Sequence, residues 1–302
     1  SHASIVAPFV LGAALALWLY PLFSHRGVPF TSFALFMGVA LSVTAFPVLA
    51  RILADRGLEK TATGTVALGC AAADDVTAWC LLAFVVGVAQ AQVGDAAVTA
   101  VGALAFIAAI FVIVRPLVNR LLRTQTASLH PAAIPVTFVA VLIAALTTEA
   151  IGVHAVFGAF LLGAVIPHDS KLAQECTKRL KDVVTVLLLP AFFALTGLRT
   201  EVGLLTNVSD WLICAAIIAV ATLGKFGGTL LAARAAGQPW RTAAALGAMM
   251  NTRGLMGLIV LDIGLSLGVI SPALFAMMVI MALVTTLATA PALARLLPKT
   301  TP

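Results

Sequence analysis

Of the 302 residues, 62% are hydrophobic and 10% are charged, with a mean hydropathy of +1.11; soluble domains carry roughly 25% charged residues. This composition excludes a water-soluble enzyme and identifies an all-α polytopic membrane protein. A net charge of +6 with pI near 9.6 would suggest nucleic acid in a soluble domain. Here the basic residues punctuate apolar runs, so the expected partner is the lipid bilayer and not nucleic acid.

Ten apolar segments follow in chain order, near 3–23, 30–50, 63–90, 96–115, 132–150, 152–167, 183–199, 210–233, 242–265 and 272–294. Each is close to the ~20 residues that cross a bilayer as a helix. The first begins almost at Ser1, without the pattern of a cleavable signal peptide. Cys70, Cys80, Cys176 and Cys214 lack metal-ligand spacing and read as small hydrophobes. The division between the fifth and sixth segments rests on "EAIGVH" forming a tight turn, flanked by Glu149 and His154. A vestibule acid at Glu149 competes there with a plain wetted helix end. "HDSKLAQECTKRLKD", from His168 to Asp182, is expected along the cytoplasmic surface as a solvated connector, a lipid-headgroup role being the alternative. Arg199 is expected to cap its helix end or pair with Glu201. A pH-sensing role for His130 or His168 is a minor alternative.

Loop charges orient the chain. If loops alternate sides, fourteen of the 18 lysines and arginines fall on one side, only Arg26 and Arg199 on the other, and Lys225 and Arg253 inside segments. The positive-inside rule makes the rich side cytoplasmic, with Ser1 and the C-terminus there. Asp74 and Asp75 then lie about twelve residues into the third segment, near mid-bilayer at ~1.5 Å per residue. Lys225 and Arg253 reach the same depth from the eighth and ninth segments.

Ionisable groups at that depth are costly unless they pair or face water, and they mark ion pathways. Adjacent aspartates project about 100° apart on a helix. One can pair with Lys225 while the other faces a cavity. An unpaired carboxyl group can hold a proton or, when ionised, a small cation, which is the chemistry of exchange. The alternative is a buried ion cluster that only fixes packing, with Arg253 compensating the second aspartate.

Two segments carry helix-breaking sequence. Pro47 in "SVTAFPVLAR" removes a donor and leaves the Val43 carbonyl unpaired, with the Thr44 hydroxyl beside it. Asn251, Thr252 and Gly254 in "MMNTRGLMG" are poor helix formers. Non-helical backbone at membrane depth is tolerated where it lines a cavity or is buried in protein. Two such breaks in segments of opposite direction suggest an inverted repeat, with segments one to three facing segments eight to ten and the site at their interface. The competing reading is a simple kink at Pro47 and a tolerated polar patch.

"SVTAFPVLARIL", "AAADDVTAWCLLA", "GAFLLGAVIP", "LLLPAFFALTGLRT", "GKFGGTLLAAR" and "MNTRGLMGLIVLDIG" together resemble the monovalent cation:proton antiporter family. The resemblance is to the branch of bacterial Na⁺ or K⁺/H⁺, fungal K⁺/H⁺ and plant cation/H⁺ exchangers, and it covers essentially the whole chain. It implies a sodium/proton-antiporter-like inverted repeat with two crossed, unwound helices. Asp75 would bind cation and proton in turn, Asp74 would pair with Lys225, and Arg253 would be a further charge partner. Thr44, Ala45, Phe46 and Pro47 would form one unwound stretch, and Asn251, Thr252 and Gly254 the other. The implied organisation is 1–92 as the first core repeat, 96–199 as linking and dimerisation-side helices, and 210–297 as the second core repeat.

The resemblance further implies a homodimer with an elevator-like core, no cofactor beyond the transported Na⁺ or K⁺ and H⁺, and a location in the cell inner membrane. It also implies missing N-terminal helices and a cytoplasmic regulatory domain or subunit outside this chain. Two departures stand out: relatives usually carry glutamate where this chain has Gly257, and asparagine where it has Asp262. The expected activity is secondary-active exchange of a monovalent cation for H⁺; a gated cation channel and a non-transporting sensor are the rivals.

Overall fold

The computed structural model describes residues 1–25, 27–90, 96–124, 130–153, 155–167 and 169–297. Arg26, His154, His168 and Lys299 lie outside the described residues. All regular structure among the described residues is helical. The chain separates into two packed units, residues 1–85 with 198–302, and residues 86–197.

The first unit opens with α1 (His2–Phe23), α2 (Phe30–Ser42), α3 (Phe46–Asp55) and α4 (Ala62–Gln90), the last of which runs on past the unit boundary. The second unit holds α5 (Ala96–Ala109), a π-helical segment Ile110–Val114, α6 (Arg115–Thr124), α7 (Ala133–Ile151) and α8 (Ala155–Val165). It continues through α9 (Lys171–Asp182), a second π segment Val183–Leu188 and most of α10 (Leu189–Arg199). The chain returns to the first unit as α11 (Val208–Thr222), a third π segment Leu223–Gly227, α12 (Gly228–Ala235), α13 (Trp240–Met250), α14 (Leu255–Ser266) and α15 (Pro272–Leu296).

Eight helical runs among the described residues are long and apolar enough to cross a membrane, and the bent pair α13–α14 makes a ninth. The sixth predicted segment holds only α8, of eleven residues, about 16 Å at 1.5 Å per residue, against a hydrocarbon core of ~30 Å. The polar stretch after His168 is continuous with the segment that follows it. It forms α9, which passes into α10 through the π segment without interruption.

Burial separates the helices of the first unit by role. Ten of the thirteen residues of α2 are buried, as expected for a helix surrounded by protein. By contrast, α1 buries a stripe of Ser4, Pro8, Gly12, Ala16 and Leu19 and exposes Val6, Val10 and Leu17, an apolar outer face suited to lipid. Glycines bring α1 into close packing. A Cβ on Gly12 would lie 2.7 Å from the Met37 carbonyl oxygen of α2, and one on Gly224 would lie 2.7 Å from the Pro8 Cα. Small residues at such contacts let membrane helices approach backbone to backbone. Leu49, Leu53, Ala67, Ala71, Leu246, Met249 and Leu293 form an apolar cluster joining α3, α4, α13 and α15.

Glu149 takes a local role within the second unit. Its Oε2 accepts the Ala155 N–H at 2.8 Å, satisfying a donor at the start of α8. Of the two roles expected for Arg199, capping its helix end or pairing with Glu201, the pair with Glu201 does not form among the described residues. The Arg199 guanidinium donates to Asp262 of α14, which gives that acid a basic partner.

Candidate functional site

Two interruptions in the first unit meet. Between α2 and α3, Val43 and Ala45 are extended; between α13 and α14, residues 251–254 leave the helix. The Ala45 N–H donates to the Thr252 carbonyl at 3.0 Å, so one broken backbone satisfies the other. Phe46 and Pro47, expected in the unwound stretch, instead form the first turn of α3. Proline suits that position because its missing N–H would have had no helical partner there. The break therefore precedes Pro47, at Val43–Ala45.

Arg253 is 1% exposed and does not take the second aspartate. Its Nη1 donates to the Ala40 carbonyl at 3.0 Å and its Nη2 to the Leu41 carbonyl at 2.8 Å. These belong to the last turn of α2, whose carbonyls have no helical partner and carry the negative end of the helix dipole. The guanidinium fork fits two adjacent carbonyls, so its charge is balanced by backbone and not by a carboxylate. Thr286 supports the second break: its hydroxyl accepts the Arg253 N–H at 3.0 Å and donates to the Arg253 carbonyl.

Asp74 is fully buried and saturated with donors. Its Oδ2 accepts from Ser4 Oγ at 2.8 Å and Thr44 Oγ1 at 2.9 Å, and lies 3.3 Å from Lys225 Nζ; its Oδ1 accepts from Ser1 Oγ at 3.1 Å. Lys225 is also fully buried and donates a second hydrogen bond to Thr44 Oγ1. It projects from the π segment Leu223–Gly227, a distortion found often at functional sites. Charge, counter-charge and hydroxyls thus form one closed network, the condition under which a buried ion pair is tolerated.

Asp75 differs. It is partly exposed, it makes no ion pair among the described residues, and its buried Oδ1 has no hydrogen-bond partner. The backbone N–H of Phe46, at the start of α3, acts on this carboxyl group. A helix N-terminus favours negative charge. Asn251, 6% exposed, likewise has a buried Oδ1 without a partner. A cavity of about 320 Å³ reaches the hydrogen-bonded network, lined among others by Ser4, Cys70, Thr229, Thr242, Leu246 and Met250. Ser4 is bonded to Asp74, and the Met250 carbonyl lies 3.3 Å from Thr44 Oγ1.

The structure therefore joins Thr44, Asp74 and Lys225 directly, sets Asp75 beside the start of α3, and uses Arg253, Thr252 and Ala45 to hold the two breaks. Sequence reasoning missed Ser4 and Thr286. Their only signal is a small polar residue inside an apolar helix, a pattern shared with residues that merely bond their own helix, such as Thr285 to Met281.

Residues 1–298 match the family described as sodium/hydrogen exchanger, transmembrane. The chain is 43% identical over 302 residues to a Na(+)/H(+) antiporter, NhaS4, of Synechocystis, covering 99% of this chain and 74% of that protein. It is 39% identical to cation/H(+) antiporter 18 of Arabidopsis thaliana, over 96% of this chain and 36% of the relative. With K(+)/H(+) antiporter 1 of Saccharomyces cerevisiae, identity is 34% over 95% of this chain and 34% of the relative. The chain thus spans most of the cyanobacterial protein and about a third of the plant and yeast ones.

Proposed function

The chain belongs to the family of transmembrane sodium/hydrogen exchangers, and from that premise we propose that it exchanges a monovalent cation, Na⁺ or K⁺, for H⁺ by alternating access, with Asp75 as the exchanging carboxyl group. One observation carries this reading: of two adjacent aspartates, Asp74 has both carboxylate oxygens accepting hydrogen bonds while Asp75 keeps an unbonded buried oxygen. A saturated carboxylate has nothing left to offer a cargo. A carboxyl group with a vacant oxygen beside a positive helix end can lose a proton and accept a cation, and it cannot hold both.

Within this reading Asp74, Thr44 and Lys225 form the neighbouring charge pair, and the two breaks form crossed, unwound helices of an inverted repeat. Counting α13–α14 and α8 each as a crossing gives ten spans. The loop charges support a C-terminus in the cytoplasm of a cell whose inner membrane holds the protein. The cavity lined by Ser4, Cys70 and Met250 then opens to the same side as the basic loops and serves as the inward route. By resemblance the protein works as a homodimer in which an elevator-like core moves against a dimerisation domain.

The test is cation flux driven by a pH gradient in proteoliposomes of the full-length gene product. An exchanger moves protons against the cation at fixed stoichiometry, a channel conducts without coupling, and a sensor does neither. Asp75→Asn is expected to abolish coupled flux, and normal coupled flux in that variant would refute the assignment. Because the cation requires the ionised carboxylate, its apparent affinity is expected to fall as pH falls, approaching tenfold per pH unit where the proton dominates. An apparent KM for cation that is flat across the active pH range would contradict direct competition at one carboxyl group.

A further inference from the structure

The second unit carries two adjoining cavities that exchange does not use. One, of about 470 Å³, lies between the start of α7 and the face of α9, lined by His130, Ile134, Lys171, Gln174, Lys178 and Arg179 among others. The other, of about 350 Å³, is an apolar groove between α6, α7 and α8, lined by residues including Leu117, Leu121, Val136, Ala140, Leu162 and Leu172. His130 borders both. Its Nδ1 accepts the Ala132 N–H at 3.2 Å, which leaves Nε2 to carry the ring's proton as a donor. Helix α9 likewise serves both cavities: Leu172 enters the groove while Lys171, Lys178 and Arg179 line the polar end.

The polar cavity is lined by three basic side chains and one acid, Glu175. That acid accepts from the Nε edge of Arg179 at 2.9 Å, and two Nη groups of the fork remain. Lys178 and the Arg179 fork thus place positive charge at the mouth of a hydrocarbon-lined slot. The neighbouring surfaces of α6 and α7 expose Leu117, Val136 and Val139, an apolar surround suited to acyl chains. A free anion would fill only the basic end, and a neutral lipid would fill only the groove.

We propose that the two cavities form one site for an anionic glycerophospholipid, its phosphodiester held by Lys178, Arg179 and His130 and one acyl chain lying along α6 and α7. Basic side chains at the membrane surface each contribute to holding an acidic headgroup, and the groove adds apolar burial along the chain. The inference uses membrane embedding and not the exchange chemistry, so its test reads binding and leaves transport aside.

The thermal unfolding midpoint of the full-length gene product in a neutral detergent is titrated with palmitoyl-oleoyl phosphatidylglycerol, with phosphatidylcholine of the same chains, and with inorganic phosphate. Saturable stabilisation by phosphatidylglycerol alone is expected. In Lys178→Gln/Arg179→Gln its half-saturating concentration should rise about thirtyfold. In Ala140→Phe, which plugs the groove, stabilisation should be lost while the midpoint in phosphatidylcholine is kept. Equal stabilisation by inorganic phosphate would make this a soluble-anion site and overturn the lipid assignment. Phosphatidylglycerol stabilisation that persists in both variants would place the lipid elsewhere. A loss of oligomeric mass by light scattering in Ala140→Phe would mean that a second copy, not a lipid, covers the groove.

Discussion

Lys225 and Asp74 are the residues with most to lose, because each is a fully buried charge held by the other and by hydroxyls. Removing one partner leaves an uncompensated charge and typically costs about 3–5 kcal/mol, whereas replacing both can be close to neutral. Lys225→Met is therefore expected to lower the unfolding midpoint sharply, and Lys225→Met with Asp74→Asn to recover much of the loss. Additive losses in that double-mutant cycle would show that the two do not interact. Arg253 makes a different prediction because its partners are carbonyls. Arg253→Ala strands two carbonyls in the last turn of α2 and is expected to cost about 3 kcal/mol. Arg253→Lys keeps the charge but loses the fork and should recover only part of the stability. Equal stability of Arg253→Ala and the parent protein would remove the capping role.

At the scale of elements, the breaks work because each lost helical hydrogen bond finds a replacement. Ala45 bonds Thr252, Arg253 bonds the end of α2, and Thr286 bonds both sides of the Arg253 backbone. Helix α8 depends on a different device. A Cβ on Gly158 would lie 2.1 Å from the Ala144 carbonyl oxygen of α7, while one on Gly163 of the same helix would meet nothing within 4 Å. Gly158→Ala is thus expected to push α7 and α8 apart and destabilise the protein. Gly163→Ala should be neutral or stabilising by up to about 1 kcal/mol, from helix propensity. Similar unfolding midpoints for the two variants would contradict the close approach. Proline shows how an element can be misread from sequence: Pro47 looks like a mid-helix kink, but it starts a helix, because only the partner break at 251–254 reveals where α2 ends.

At the scale of the whole molecule, the charge asymmetry of the loops predicts sidedness. Single cysteines at Arg241 and Glu201, in a background lacking the native four, should react with an impermeant thiol reagent from opposite faces of the membrane, Arg241 from the cytoplasm. Labelling from the same face would overturn the span count between them. The sequence by itself determined the membrane class, the apolar segments, the adjacent aspartates with Lys225 as their candidate partner, and the two weak points near Thr44 and Asn251. Each of these is a local property of composition, spacing or missing backbone donors. Only the tertiary structure decided which aspartate is saturated, that Arg253 caps carbonyls instead of a carboxylate, that Ser4 joins the network, and that Arg199 reaches Asp262. The physical reason is that those choices depend on hydrogen bonds between residues far apart in the chain, and a backbone carbonyl, being the same at every position, leaves no mark in the sequence of what will bind it.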